Sequence, residues 1–260
     1  MTGLAVHTLV LGAGGPVGGA WLSGAVSGLV AGGLSLAEVP QIVGTSAGAV
    51  IGAWLGAGAS LDDATSAIAD RAAWHARGHE PAADHLDADV AGELWSRWLP
   101  PGDWPKMLRV TAVALPDKRI GVWSADDGVP LGAAVAASTA APGVAPPVKI
   151  AGRLYVDGGV RSMTNADVAA TRIDNDEAEV LVLAPIFTAA LTREVEVLRG
   201  LGCSVRVITP ARGDLDGAFE QGLAGLLRAD LTEPAVQAGR RQAELALTEF
   251  AHSSLIGRFA

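Results

Sequence analysis

The sequence predicts an α/β fold of three layers, α/β/α, doubly wound around a mainly parallel sheet. Three observations lead there. Short apolar or β-branched runs, at residues 5–11, 41–43, 180–184 and 204–209, alternate with longer stretches patterned as helices. Three of the predicted strands end in glycine-bearing turns, Gly12-Ala13-Gly14-Gly15-Pro16, Gly44-Thr45-Ser46-Ala47-Gly48 and Asp157-Gly158-Gly159. The chain has 260 residues, half of them hydrophobic, which suits one large domain with a sizeable core. In parallel α/β sheets ligands bind at the carboxyl ends of strands, which is where these turns fall.

Taken in order, residues 5–11 read as a buried strand stopped by the first glycine loop. Residues 17–30 mix small and apolar side chains at helical spacing and end at Gly32-Gly33. The strand 41–43 runs into the turn at Ser46 and a helix reaching about residue 55. Residues 61–76 and 86–98 carry helical patterning, with Asp62 and Asp63 near one start, and predict a helical insertion or lid at about 60–105 within a single 1–260 domain. Trp95, Trp98 and Trp104 fall in a proline-broken turn with three readings: core filling, a lid over an apolar pocket, or an anchor at a membrane surface. Residues 108–115 and 119–123 read as strands joined at Pro116-Asp117-Lys118, residues 131–139 as a small-residue helix, and residues 153–156 as a strand. A helix at 191–201 separates the last two strands, and helices at 214–228 and 232–250 close the fold.

Composition excludes several classes. A formal charge of −9, with no basic run longer than Arg240-Arg241, argues against nucleic acid as a partner. Cys203 is the sole cysteine, so no disulfide forms within the chain, and no His, Cys and carboxylate spacing suggests a metal. The first 37 residues contain no Lys, Arg, Asp or Glu, yet glycines interrupt them and no basic segment precedes the apolar stretch. The uncharged stretches 39–61 and 128–148 are similarly broken by Pro, Ser, Thr and Gly, which favours buried elements over membrane spans. The reading is a cytoplasmic protein with an unusually apolar interior.

Acyl transfer needs a nucleophile, a base and donors for an oxyanion, and the three turns offer all of them. Ser46, on a strand-to-helix turn between Gly44 and Gly48, is the candidate nucleophile. Gly14 and Gly15, at a helix N-terminus, suit an oxyanion hole, whereas Pro16 has no N–H to donate. Asp157, at a strand end before Gly158 and Gly159, is a carboxylate suited to the role of base. An ordinary aspartate, with a pKa of about 3.9, is a poor base at neutral pH, so the site has to raise that value or hold the Ser–Asp hydrogen bond tightly. A dinucleotide loop would need glycine where Val17 stands, and a Walker loop would need a Lys-Ser/Thr pair that is missing.

Ala13-Gly14-Gly15-Pro16-Val17-Gly18, Gly44-Thr45-Ser46-Ala47-Gly48 and Asp157-Gly158-Gly159, in that order, resemble the three signatures of patatin-like phospholipases. Ala137-Ser138-Thr139-Ala140-Ala141-Pro142 and the later Asn165 resemble further stretches of that family, so the likeness spans about residues 5–170. It implies a patatin-like fold and a Ser46–Asp157 dyad without histidine, the aspartate serving as base in forming and in hydrolysing a serine ester. It also implies Gly14 and Gly15 as oxyanion donors, Gly12, Gly18, Gly44, Gly48, Gly158 and Gly159 as structural glycines, and no cofactor. The partner it implies is a lipid or acyl ester; with the net negative charge, any contact with a membrane surface is expected to be hydrophobic and transient.

The first loop departs from the family's usual G-G-G-x-[RK]-G, with Ala13 at the first glycine and Val17 at the basic position. The donors remain and a charge is lost, so acyl-ester hydrolysis is a firmer expectation than phospholipid preference. Ala166 stands where a proline commonly follows the asparagine. Two alternatives stay open: a non-catalytic lipid- or acyl-binding protein on the same fold, and an α/β-hydrolase-type triad using His252, the one histidine that follows both Ser46 and Asp157.

Overall fold

The structure, a computed structural model, describes residues 6–172 and 178–256, with the side chains of 172 and 251–256 left aside. The chain opens with β1 (Thr8–Leu11), α1 (Gly15–Ala31), β2 (Gln41–Thr45), α2 (Ala47–Gly56) and α3 (Leu61–Ala76). Next come β3 (Leu86–Asp87), α4 (Ala88–Trp95), β4 (Leu108–Leu115), β5 (Ile120–Trp123), α5 (Leu131–Ser138), β6 (Val148–Ile150) and β7 (Arg153–Asp157). The last third holds β8 (Glu179–Leu183), α6 (Ala189–Gly200), β9 (Ser204–Ile208), α7 (Asp214–Gly217), α8 (Leu223–Leu226) and α9 (Thr232–Ile256). Among the described residues nine strands form one sheet, ordered β3-β6-β7-β4-β2-β1-β8-β9 with β5 on β4. Pairing is parallel except at β4–β5, β4–β7 and β6–β7. The predicted α/β/α architecture, with helices on both faces of a mostly parallel sheet, is the one observed.

One register positions the site. β2 pairs with β4 up to Thr45 opposite Thr111, and β7 pairs with β4 from Asp157 opposite Ala112 onward. Since β2 runs along β4 and β7 against it, their carboxyl ends arrive at consecutive residues of the same strand. Residues far apart in sequence are thereby brought together without any long side chain reaching across.

The uncharged N-terminal stretch finds its explanation in α1, where Trp21, Leu22 and Leu29 are fully buried. Each such burial contributes on the order of 1.5–3 kcal/mol. Helices α1 and α9 touch backbone to backbone: a Cβ on Gly24 would lie 1.9 Å from the Val236 carbonyl oxygen, and one on Gly239 would lie 2.1 Å from that of Trp21. Trp21 Nε1 donates to Gln242 Oε1 at 2.5 Å across the same contact. Among the described residues no helix is long and apolar enough to cross a membrane.

Two local expectations need correction, and one strand was not foreseen. The helix expected at 86–98 starts at Ala88, because Leu86 and Asp87 pair with β6, and it tightens into a 3-10 turn at Ser96–Trp98. The single helix expected at 214–228 is broken into two one-turn pieces, with Leu215, Asp216, Gly217 and Gly222 all at positive φ. β6 was not anticipated, since three residues leave too short a pattern to read.

Candidate functional site

The turn between β2 and α2 holds Ser46 at φ 53°, ψ −118°. A non-glycine residue there carries strain of order 1–3 kcal/mol, kept only where the surroundings over-determine it. They do so here. Ser46 N–H donates to the buried Ser138 Oγ at 2.8 Å, and Ser46 C=O accepts from Ala49 N at 2.9 Å. Gly48 lets the turn sit against β1, because a Cβ there would lie 2.0 Å from the Leu11 carbonyl oxygen.

Asp157 closes β7, its N–H donating to Ala140 O at 3.0 Å. Its Oδ2 accepts from Ser46 Oγ at 2.7 Å, and its Oδ1 accepts from Gly159 N at 2.7 Å. Burial pushes its pKa up to about 6, against the opposing pull of the hydrogen bonds from Ser46 and then Gly159. A carboxylate that ionises near 6 is far better matched to proton abstraction at neutral pH than an ordinary one.

The first loop is tied down on both sides, Gly12 N donating to Leu183 O at 2.9 Å and Ala13 N to Met163 O at 2.6 Å. Gly14 caps α1 and Gly15, at φ 59°, begins it, with Pro16 behind. The N–H groups of Gly14 and Gly15 meet no acceptor among the described residues, as expected for the orphan donors of a helix start. Both glycines line the same cavity as Ser46 and Asp157. Val17 is fully buried in the core, so the position that is basic in the usual loop here faces away from solvent.

The model of the patatin-like phospholipase family matches residues 9–170. The chain belongs to that family. Two solved structures share the patatin-like fold. VipD from Legionella pneumophila is 11% identical with a TM-score of 0.52, over 95% of this chain and 67% of that one. The type III effector protein ExoU is 15% identical with a TM-score of 0.52, over 95% of this chain and 53% of that one. No curated protein matches the chain.

Behind the two patatin signature turns lies a polar network that the sequence reading only half captured. Asn165, at φ 49°, donates through Nδ2 to Ser162 O at 2.8 Å, to Gly158 O at 3.2 Å and to Thr45 Oγ1 at 3.2 Å, bridging the Asp157 turn to the end of β2. Arg161 Nη1 donates to Asn165 Oδ1 at 2.8 Å. The buried Glu194 accepts from Thr164 Oγ1 at 2.6 Å and from Ala166 N at 2.9 Å, holding the next residues along. Ser138 and Asn165 stood within recognised stretches, although their roles did not. Glu194 lies beyond the residues the family model matches, and the available signal was a carboxylate on the apolar face of α6 with Leu191, Val195 and Leu198.

The cavity above Ser46 measures about 360 Å³ and is walled mainly by apolar side chains, among them Val50, Ile68 and Leu226. Trp95 and Trp98 are buried and belong to its wall, while Trp104 is half-buried and donates to Leu108 O at 3.1 Å. Trp95 and Trp98 belong to the main hydrophobic core cluster, as core filling would have it. Among the described residues no group of His, Cys, Asp and Glu is placed to hold a metal. His252 lies in α9 outside the residues whose side chains are described.

Proposed function

We propose that this chain is a serine acyl hydrolase that cleaves fatty-acyl esters through a Ser46–Asp157 dyad. The observation that carries the reading is the 2.7 Å hydrogen bond from a strained, buried Ser46 Oγ to a carboxylate whose pKa is raised to about 6, both lining an apolar cavity. Membership of the patatin-like phospholipases supports lipid acyl hydrolysis as the reaction class.

In this mechanism Asp157 takes the Ser46 proton as Oγ attacks the ester carbonyl carbon, and the oxyanion is met by the free N–H groups of Gly14 and Gly15. Collapse of the tetrahedral intermediate breaks the bond to the alcohol, which leaves with the proton held on Asp157. Water then attacks the Ser46 ester, giving its proton to Asp157. That proton returns to Ser46 Oγ as the fatty acid departs. One carboxylate serves both halves because it is the residue hydrogen-bonded to Oγ. Val160 and Leu223, exposed apolar side chains that also line the cavity, suit transient contact with a lipid surface.

A fluorophosphonate probe followed by peptide mass spectrometry tests the assignment. Labelling on the Ser46 peptide, retained in His252→Ala and paired with turnover of a chromogenic acyl ester, is the expected result. Label on another serine, or loss of label in His252→Ala, overturns it.

A further inference from the structure

The same cavity is lined by a polar group that the proposed chemistry leaves unused. Arg71, His75 and Glu80 face it together with Trp95 and Trp98. Arg71 and His75 share one face of α3, four residues apart, and Glu80 follows the turn at Gly78. Arg71 Nη2 pairs with Glu80 Oε1, and His75 Nδ1 lies 3.2 Å from that same oxygen. The guanidinium carbon stands 4.9 Å from the ring centre of Trp74 and 5.1 Å from those of Trp95 and Trp98. Both charged side chains are only 14% exposed, and Arg71 Nε is buried with no partner among the described residues.

A largely buried ion pair is a poor way to wall a cavity for hydrocarbon alone. Apolar side chains of similar volume serve stability as well or better, and an alkyl chain pressed against the pair strips its water without replacing any hydrogen bond. An added anion is also a poor match, because Glu80 already balances Arg71. A hydroxyl group is matched on both sides: it accepts from the Arg71 guanidinium and donates to the Glu80 carboxylate, while the three indoles hold the guanidinium in place.

We infer that the Arg71–Glu80 pair in its tryptophan cage is a recognition site for an uncharged hydroxyl group, so that the esters taken carry a hydroxyl remote from the scissile carbonyl. This rests on the hydrolase reading for the word ester. The hydroxyl belongs either to the acyl chain or to the alcohol portion, and two matched pairs distinguish them. Methyl 8-hydroxyoctanoate against methyl octanoate tests the acyl chain; glyceryl monooctanoate against propyl octanoate tests the alcohol.

The four esters are titrated into Ser46→Ala and followed by tryptophan fluorescence, with Trp74, Trp95 and Trp98 as reporters. The hydroxylated member of one pair is expected to bind at least about tenfold tighter. Adding Glu80→Met brings that preference below about twofold, and so does adding Arg71→Lys, which keeps the charge and loses Nε and the planar fork. Thermal melts confirm that each variant is folded. Equal affinities within both pairs, no binding of any of the four, or a preference that survives both variants overturns the inference. Wild-type turnover of p-nitrophenyl octanoate is measured alongside. Turnover without a hydroxyl preference removes this inference alone, and a hydroxyl preference without turnover removes the hydrolase reading alone.

Discussion

Ser46 Oγ and Asp157 Oδ2 are 2.7 Å apart because β2 and β7 deliver their carboxyl ends to consecutive residues of β4. The pair is set by backbone register, so replacing either side chain should remove chemistry and keep the fold. Ser46→Ala and Asp157→Asn are each expected to lower kcat for an acyl ester by roughly a thousandfold or more, with unchanged circular dichroism. A variant of either kind that keeps a tenth of wild-type kcat would falsify the dyad.

The raised pKa of Asp157 acts on activity and stability in opposite senses. In the proposed mechanism activity needs the carboxylate, so kcat/KM should rise with pH through a midpoint near 6, the value to which burial raises this group. Stability goes the other way. The folded pKa lies above the ordinary 3.8, so this residue's contribution is fully present below the unfolded value and is lost as pH rises through about 6. Holding the charge above that pH costs about 3 kcal/mol relative to an unshifted carboxylate. Asp157→Asn is therefore expected to raise Tm at pH 8, with the gain shrinking towards pH 4. A gain of equal size at both pH values contradicts the assignment.

Asn165 holds the Asp157 turn against the end of β2 without lining the cavity. Asn165→Ala leaves two backbone carbonyls and a threonine hydroxyl short of a donor and is expected to destabilise the fold by about 1–3 kcal/mol. Displacement of the base should lower kcat by about a hundredfold with KM changed little, which steady-state kinetics on one ester can read.

Two glycines should respond to alanine with opposite signs. At Gly48 a Cβ would lie 2.0 Å from a backbone oxygen of β1, and Gly48→Ala is expected to cost more than about 4 kcal/mol or prevent folding. At Gly200, in the last turn of α6, a Cβ meets nothing within 4 Å, and Gly200→Ala should stabilise by about 0.5–1 kcal/mol. Chemical denaturation of both variants checks the contrast.

The features legible in the sequence are those where the chain has few ways to satisfy a local constraint. Gly44, Gly48 and Gly158 mark places where backbones crowd, and Ser46 and Asp157 are polar residues at the ends of apolar strands. Both kinds of mark survive without coordinates. The tight apposition of α1 and α9 was hidden because Gly24 and Gly239 meet only in the folded chain. The role of Ser138, and Glu194 and the Arg71–Glu80 pair altogether, were hidden for the same reason, each taking its meaning from a partner elsewhere in the fold. The break of the helix expected at 214–228 escaped a pattern reading because apolar spacing carries no information on the sign of φ.

The contact of α1 with α9 also sets a schedule. The helix that begins at the Gly14–Gly15 donors carries no charge, and the residues that cover it, Val236 and Gly239, come more than two hundred positions later. At ribosomal speeds of roughly 5–20 residues per second, the nascent chain spends on the order of 10–40 s with that helix bare on one flank. That bare apolar surface is expected to make the unfinished chain a target for chaperones. A chain truncated before residue 236 should therefore be found with chaperones or in inclusion bodies.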